Sequence, residues 1–400
     1  MDALATPRPA GVTITDTSAV AWTPLTGTAH SIALEVLLDG PLARSELARR
    51  LDLSPGTLTR LSKPLLDSGL LQEIGEASDP VTGRPTRPMD VDETSHLFVG
   101  VKLTATTVHV VLTSLRATVL DTAEAELPDR TPDAVVATVV DLVRSVVAGH
   151  PEHAGSLRAV GVALGGLVGE HGHVLNASFL GWQDVPLGPV LEAELDLPVV
   201  VDNDLLSFTR AEQWFGSARR CGHFAVLTIG EGLGYGLVVR DEVLDRPDAG
   251  VGLLGHYPLL PGGPLCPAGH LGCADALLTV AAVQSRASVA LRRAVGYEEV
   301  LDLAAAGDPL ARRVVDDSAY GLGVLVAAVG NLTMPEMVIL SGEGIRLALV
   351  GEDALHRGIA EHRSSYATDL DLVVQPTGFT EWARGAAVTA IRTFVLGHRR

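Results

Sequence analysis

The chain has 400 residues, of which 47% are hydrophobic and 4% aromatic, and its 30 basic and 48 acidic residues give a net charge of −18. This length predicts more than one domain, and the acidic balance restricts nucleic-acid binding to a local basic surface. No apolar run is long enough for a membrane span, the N-terminus lacks a secretory pattern, and three cysteines are too few for a disulfide framework. We therefore expect a cytoplasmic protein without a membrane partner.

Composition divides the chain into three regions. Residues 1–24 are rich in Ala, Thr and Pro without an apolar period, which predicts a flexible tail. Residues 25–92 carry dense helical signals followed by a Gly/Pro-rich piece. In residues 93–400, short β-rich runs alternate with helical runs rich in Ala, Leu and Val, which predicts an α/β body.

Three helical patterns in the second region predict a helix-turn-helix. The first is HSIALEVLL, which has an apolar face and ends at Asp-Gly. Ser45 is expected to cap the second helix and Ser54 the third, with Pro55 in the first turn and Gly69 at the end. Pro64 lies inside the third helix and predicts a bend, because proline removes a helical hydrogen bond.

The third helix is predicted to read DNA, because its leucines point inward while its polar residues point outward toward bases and phosphates. After it, LLQEI and TGRPTRPMDV predict a hairpin that forms a basic wing. The alternative is a three-helix packing unit with solvated charges. The predicted contacts to a double-stranded DNA operator are Ser45, Ser54, Thr57, Thr59, Arg60, Lys63, Arg84 and Arg87.

Stretches of the body resemble the ROK family of repressors, uncharacterised reading frames and sugar kinases. They are GVALGGLV, LPVVVDNDLLSFTRAEQWFG, LTIGEGLGYGLVV and GHYPLLPGGPLCPAGHLGC, in this order. The resemblance covers residues 28–395. It implies a winged helix-turn-helix ahead of a two-lobed actin-like, ribonuclease-H-like body that binds an effector and dimerises. The lobes are expected to divide near residue 205, with a C-terminal helix returning to the first lobe.

The effector site is predicted around the sequence VDND, which follows an apolar strand. Polar residues at the carboxyl end of a strand are where α/β proteins bind ligands. The resemblance implies that Asn203 and Asp204 contact sugar hydroxyls and that Asp204 is the base of the related kinases. A strand-to-helix cap is the alternative for this pair, and a core histidine is the alternative for His256. The resemblance adds Gly166, His256 and Asp275 to the effector set.

The nucleotide side departs from the family pattern. Aligning LFVGVKLTATTVHVVLT with the first phosphate loop places Lys102 at its aspartate and Thr104 at a glycine. In the second loop, Glu231 and Tyr235 replace a small hydroxyl residue and a glycine, and Glu343 interrupts a later glycine run. We therefore expect no bound ATP or magnesium and no catalytic residue, and we hypothesise that Lys102 pairs with Glu231 across the cleft.

The last motif resembles a His/Cys₃ zinc knuckle. His256, Cys266 and Cys273 match it, but Ala268 replaces the middle cysteine. A structural zinc site normally has four N or S ligands. Two interpretations stay open: zinc is retained, with His270 as the candidate fourth ligand, or two buried cysteines remain reduced.

Together these features predict a transcriptional regulator of carbohydrate-related genes that responds to a sugar or sugar-derived effector without kinase activity. A homodimer or homotetramer is expected, because helix-turn-helix proteins read paired half-sites. Two alternatives remain. One is a sugar kinase with an accessory DNA-binding domain, and the other is a ligand-independent repressor whose body serves only dimerisation.

Overall fold

The computed structural model describes residues 27–75, 77–78, 85–153, 155–246, 248–249 and 252–397. The predicted tail and the predicted DNA contact Arg84 lie outside the described residues. The helices are α1 (Gly27–Asp39), α2 (Arg44–Arg50), α3 (Pro55–Asp67), α4 (Pro132–Ala148), α5 (Leu187–Leu195), α6 (Asp204–Phe215), α7 (Ala274–Leu278), α8 (Val280–Leu291), α9 (Tyr297–Ala305), α10 (Pro309–Thr333), α11 (Arg346–Val350), α12 (Glu352–His362) and α13 (Phe379–Leu396).

The strands begin at the end of the helix-turn-helix and continue through the body. They are β1 (Leu71–Glu73), β2 (Ala77–Ser78), β3 (Pro85–Thr86), β4 (Met89–Val91), β5 (Leu97–Leu103), β6 (Thr107–Thr113), β7 (Val119–Glu126), β8 (Leu157–Leu164), β9 (Leu167–Val168), β10 (Val174–Ala177), β11 (Trp182–Val185), β12 (Val199–Asn203), β13 (His223–Ile229), β14 (Leu233–Val239), β15 (Glu242–Val243), β16 (Met337–Ser341) and β17 (Asp371–Val374). No described helix combines the length and the apolar character that a membrane span requires.

The described part of residues 27–91, here called the head, forms the winged helix-turn-helix. Strand β1 pairs antiparallel with β4, and β2 pairs with β3, so the predicted hairpin is present. The hydroxyl oxygen of Ser54 accepts the N–H of Thr57 at 3.2 Å, as expected of a helix cap. Helix α3 continues through Pro64 to Asp67.

The predicted cap at Ser45 is wrong. Helix α2 begins at Arg44, and Ala43, two residues before Ser45, occupies the capping position with an extended backbone. The first helical hydrogen bond runs from the N–H of Leu47 to the carbonyl of Ala43 at 3.0 Å, which places Ser45 inside the first turn. Ser45 is exposed there, so its side chain faces outward on the head.

The body has two lobes, each built on a five-stranded sheet. The first has the strand order β12-β8-β5-β6-β7, and the second has the order β15-β14-β13-β16-β17. Strands β5, β8 and β12 run parallel, so their carboxyl ends meet at one edge of the first sheet. In the second sheet β13, β16 and β17 are likewise parallel. Ligands of α/β sheets bind at such edges.

Helix α13 packs on the first sheet, where two glycines permit a close approach. A Cβ atom at Gly100 would lie 1.9 Å from the carbonyl oxygen of Ala383, and one at Gly161 would lie 1.9 Å from that of Ala386. Only glycine therefore fits at these two floor positions. The chain reaches α13 after completing the second sheet, so its last helix belongs to the first lobe.

The head shares an apolar core with the first lobe. Ile32, Leu37 and Met89 of the head belong to the same buried cluster as Phe98 and Ile391 of the body. A side-chain ring nitrogen of His30 also lies 3.1 Å from the carbonyl oxygen of Val395 at the end of α13. The head is therefore packed against the body by burial of apolar side chains, which is the main driving force of such packing.

Candidate functional site

A cleft of about 990 Å³ opens between the two lobes. Its first-lobe wall comes from the ends of the parallel strands and the start of α6. Its second-lobe wall comes from the turn between β13 and β14 and from the knuckle region. The predicted site residues that line it are Lys102, Thr104, Gly166, Asp204, Glu231, His256 and Asp275, and Glu343 and Phe179 line it as well.

Lys102 pairs with Asp204, and the hypothesis that it pairs with Glu231 is wrong. The ammonium group of Lys102 donates to Oδ2 of Asp204, and it lies 5.3 Å from the centroid of the Trp382 ring. Lys102 is 6% exposed, so its charge requires a close counter-charge. Lys102 and Asp204 lie at the same edge of the first sheet, whereas Glu231 belongs to the second lobe.

Asn203 acts as a helix cap. Its Oδ1 accepts the N–H groups of Leu205 and Leu206, at 3.0 and 3.2 Å, and its Nδ2 donates to the carbonyl of Gly166 at 2.9 Å. The amide lies behind the cleft wall, and Asn203 is only 3% exposed. Asn203 therefore supports the cleft wall from behind, whereas Asp204 faces the cleft. Contact of Asn203 with an effector stays a prediction.

The turn between β5 and β6, which the resemblance aligns with the first phosphate loop, is closed by the side chain of Thr104. The hydroxyl oxygen of Thr104 accepts the N–H groups of Thr106 at 3.3 Å and Thr107 at 2.9 Å. Backbone N–H groups of such a turn are the donors that phosphate-binding loops present to a ligand. In this chain they already have an acceptor.

The second phosphate loop is occupied by Glu343. Its Oε1 accepts the N–H of Glu231 at 3.0 Å, and a Cβ atom at Gly230 would lie 2.0 Å from the same oxygen. A carboxylate therefore rests against the glycine turn. With the side chain of Glu231 also lining the cleft, this wall presents two carboxylates to any incoming phosphate.

Tyr235 does not belong to this wall. It lies on β14, and its ring packs against the apolar core of the second lobe. Burial raises the pKa of its phenol, as expected of a core tyrosine. Its assignment to a degenerate nucleotide site is therefore corrected: the substitution of the family's glycine affects packing behind the loop.

The knuckle brings three of its four predicted ligands together. The two thiol sulfur atoms of Cys266 and Cys273 lie 3.9 and 4.0 Å from Nδ1 of His256, and all three donor atoms lie within 4.8 Å of one another. Nδ1 of His270 lies 3.7 Å from the sulfur of Cys266, but His270 is outside this mutual set. Two thiols and an imidazole are the donor types that zinc prefers.

The surroundings of the two thiols differ. Burial raises the pKa of Cys266, but hydrogen bonds from the backbone, above all from the N–H of His270 at 3.4 Å, outweigh it and lower the pKa. Burial raises the pKa of Cys273, and its neighbour Cys266 adds to this increase. Cys266 is therefore the thiol prepared for the thiolate form that metal binding requires.

The knuckle also adjoins the cleft. Nδ1 of His256 lies 3.6 Å from a carboxylate oxygen of Asp275, and both residues line the cleft wall. A Cβ atom at Gly255 would lie 2.6 Å from that carboxylate, which explains the glycine before the histidine. A metal held by His256 would consequently fix the orientation of an imidazole that lines the cleft.

The outer face of the head carries the predicted DNA contacts. Thr59, Arg60 and Lys63 are exposed on α3, and Arg87 is exposed on the return of the wing. The hydroxyl of Thr59 donates to the carbonyl of Pro55 at 2.9 Å, and the hydroxyl oxygens of Thr57 and Ser54 lie 2.9 Å apart. The helix thus presents two cations and a short polar rim to solvent.

A family model described as "ROK family" matches residues 98–392. The chain belongs to the ROK family. A ROK family transcriptional regulator of known structure, a homologue of the Escherichia coli MLC protein, superimposes with a TM-score of 0.78 at 24% identity, covering 92% of this chain and 96% of the other. That likeness confirms the predicted winged-helix and two-lobed fold of this ROK chain.

Two relatives of this ROK chain carry different functions. The DNA-binding transcriptional dual regulator NagC of Escherichia coli K12 is 26% identical over 78% of this chain and 80% of its own length. A glucokinase of Halalkalibacterium halodurans is 29% identical over 68% of this chain and 86% of its own length. The family therefore includes both a regulator and a kinase among the relatives of this chain.

Proposed function

We propose that this ROK chain is a DNA-binding transcriptional regulator whose body binds a sugar or sugar-derived effector without phosphorylating it. The observation that carries the proposal is the combination of an exposed basic α3 with two closed phosphate loops. The similarity to NagC, a DNA-binding regulator, supports the first half. Its targets are proposed to be carbohydrate-related genes.

The DNA-binding half rests on the head. Arg60 and Lys63 lie three residues apart on one exposed face of α3, where a recognition helix contacts bases and phosphates. The molecule as a whole is acidic, so these cations concentrate the attraction for DNA on one side. A homodimer or homotetramer would place two such helices on paired half-sites.

The absence of phosphoryl transfer rests on the cleft. A nucleotide's phosphates require backbone donors and magnesium ligands. Here Thr104 and Glu343 accept loop N–H groups, and Lys102, which the resemblance aligns with the family's aspartate, brings an ammonium group that donates to Asp204. Repulsion from Glu231 and Glu343 adds to this. Asp204, His256 and Asp275 still line the other side, so the cleft keeps polar groups for a ligand.

The second candidate function is a sugar kinase with a DNA-binding head. The similarity to a glucokinase and the retention of Asp204 in the cleft favour it. A coupled assay for sugar-dependent ATP turnover distinguishes the two. Turnover that is abolished by Asp204→Asn would establish the kinase, whereas the proposed regulator shows none.

We also propose that the knuckle holds zinc through His256, Cys266 and Cys273, with His270 the candidate for the fourth position. Zinc would supply a structural cross-link between the knuckle and the cleft wall. His256 would then present a fixed ring to the effector. Three protein donors and one weaker ligand imply a more exposed site than the usual four-ligand structural site.

The decisive experiment begins with duplexes selected from a random pool by the full-length protein. Arg60→Ala combined with Lys63→Ala is expected to weaken binding at least about tenfold and to reduce the slope of log affinity against log salt by about two. Arg313→Ala is the matched control, because Arg313 is exposed on α10 in the body. Unchanged affinity in the α3 variant would reject this helix as the recognition element.

A further inference from the structure

Arginines of the body hold the C-terminal end of α1 in the head. Arg116, from the turn between β6 and β7, donates to the carbonyl oxygens of Val36 at 2.6 Å and Leu37 at 2.8 Å. Arg219 donates to the carbonyl oxygen of Leu38 at 3.0 Å. The carbonyl of Val36 also accepts the N–H of Gly40 at 2.8 Å, whereas Leu37 and Leu38 belong to the last turn, whose carbonyls lack helical donors, so the body completes the end of this helix.

Asp39 adds an ionic contact at the same point. Nε of Arg220 lies 3.0 Å from both carboxylate oxygens of Asp39, and Nε of Arg219 lies 3.5 Å from one of them. Arg50 of α2 contacts the same carboxylate from inside the head at 2.5 Å. Burial raises the pKa of Asp39, but its bonds to Arg220 and Arg50 outweigh this and lower the pKa. We call Arg219, Arg220 and their contacts to Leu38 and Asp39 the clasp.

The clasp arginines lie on the segment where the chain crosses between the lobes. Before the crossing, Arg384 of α13 donates to the carbonyl of Phe215 at 3.1 Å and ties the end of α6 to the first lobe. After it, the N–H of Asp241 donates to the carbonyl of Gly222 at 2.9 Å and ties the chain to the second lobe. Residues 216–221 therefore span two fixed points, one in each lobe.

The return crossing is bonded to this segment. The hydroxyl of Ser217 donates to Oε1 of Gln375 at 3.0 Å, and Nε2 of Gln375 donates to Glu212 at 3.2 Å. Gln375 directly follows β17 and precedes α13. The two segments of chain that join the lobes thus meet beside the clasp, which is the arrangement of a hinge.

The backbone at Arg220 is held in a costly conformation. Its φ is +72°, in the left-handed region that side chains other than glycine and asparagine rarely adopt. Such a conformation persists where surrounding contacts hold it. The double contact with Asp39 is one such contact, so the crossing and the head constrain each other.

Arg116 and the clasp therefore attach one helix end to two parts of the body. Arg116 moves with the first lobe, whereas Arg219 and Arg220 lie on the crossing that must adjust when the lobes rotate. The cleft lies between the same lobes, with Asp204 on one wall and His256 on the other. A ligand bridging these walls would draw them together and change the angle between the two attachments.

We propose that the clasp couples the opening of the cleft to the position of the DNA-binding head. The coupling rests on the proposed function, since it assigns a route for an effector to change DNA binding. Coupling between two binding sites is reciprocal. DNA bound to the head must then alter the cleft, and this effect is measurable before any effector is identified.

The test uses full-length protein and a duplex selected from a random pool. Hydrogen exchange is measured in the cleft loops, residues 103–107 and 229–234, with and without the duplex. In the wild type, the duplex is expected to change these rates by about fivefold or more. In Arg219→Gln combined with Arg220→Asn, where asparagine suits the left-handed backbone, the duplex still binds but the change is lost.

Two further variants keep the outcome interpretable. Asp39→Asn weakens the clasp from the head side with little change of shape and is expected to reduce the response in the same way. Arg313→Gln, at an exposed position of α10, should respond as the wild type does. An equal response in wild type and both clasp variants overturns the coupling, as does a wild-type cleft that ignores bound DNA. Failure of the wild type to bind any duplex instead overturns the proposed function, and the coupling with it.

Discussion

The two ends of the cleft, each formed by loops of both lobes, present different groups to a ligand. At the nucleotide end, Thr104 and Glu343 accept backbone N–H groups that a phosphate would need. On the opposite side, Asp204, His256 and Asp275 keep polar side chains facing the cleft. The two ends can differ in this way because they are built from different loops.

The Lys102–Asp204 pair allows the largest test of this difference. Lys102→Met leaves a partly buried carboxylate without its cation, and we expect a loss of about 3 kcal/mol in the free energy of unfolding, measured by denaturant titration. Adding Asp204→Asn should recover most of it, because the unpaired charge is removed. Arg346→Gln breaks an exposed pair with Glu298 and should cost at most about 1 kcal/mol. Equal losses of unfolding free energy in Lys102→Met and Arg346→Gln would show that the buried pair stabilises the protein no more than an exposed pair does.

Zinc binding tests the other end of the cleft, where His256 adjoins the knuckle. We expect one zinc ion per chain by elemental analysis, and a stabilisation of about 2.7 kcal/mol when free zinc is a hundred times its dissociation constant. Cys266→Ser and Cys273→Ser should abolish both effects, because they remove two of the clustered donors. Cys221→Ser is the control, since Cys221 lies outside that cluster.

Restoring the fourth thiol makes the metal test sharper. Ala268→Cys returns the family's ligand count and is expected to tighten zinc binding at least about tenfold. A metal-free wild type whose Ala268→Cys variant binds zinc would show that the substitution removed the site. In that case His270 does not compensate for the lost cysteine.

Removing the two carboxylates at the nucleotide end of the cleft has the smallest expected effect. Glu343→Gly combined with Glu231→Ser removes two carboxylates and frees the N–H that Glu343 now accepts. We expect an ATP analogue to bind about tenfold more tightly, as measured by calorimetric titration, because repulsion falls and a donor is exposed. Glu194→Ser, an exposed substitution on α5 that does not line the cleft, should leave the titration unchanged. The absence of any gain would place the barrier to nucleotide at Lys102 and Thr104.

Local signals predicted much of the head. The cap at Ser54, the first-turn proline and the hairpin are written in neighbouring residues, so they could be recognised without the fold. Ser45 misled the prediction because Ala43 supplies the first helical carbonyl, and a carbonyl is present at every position. A cap is thus predictable only where the side chain makes the bond.

Partners across the fold could not be predicted in the same way. Lys102 reaches Asp204 because β8 places β12 near β5, a register that neither residue's surroundings in the sequence reveal. The clasp joins residues 181 positions apart, and two adjacent arginines after a helix are an ordinary surface pattern. The family resemblance located the cleft but gave no information on these contacts, since they join residues far apart in the sequence.

The close packing of α13 on Gly100 and Gly161 determines when the first lobe can be completed during synthesis. The head is synthesised first, yet its apolar core includes Ile391, and the first lobe lacks its covering helix until α13 has been made. A nascent chain therefore carries α3 before α13, which contributes to the apolar core that supports the head, has been made. If α3 recognises DNA, as proposed above, the chain gains its DNA-binding form only after α13 has packed on the first lobe.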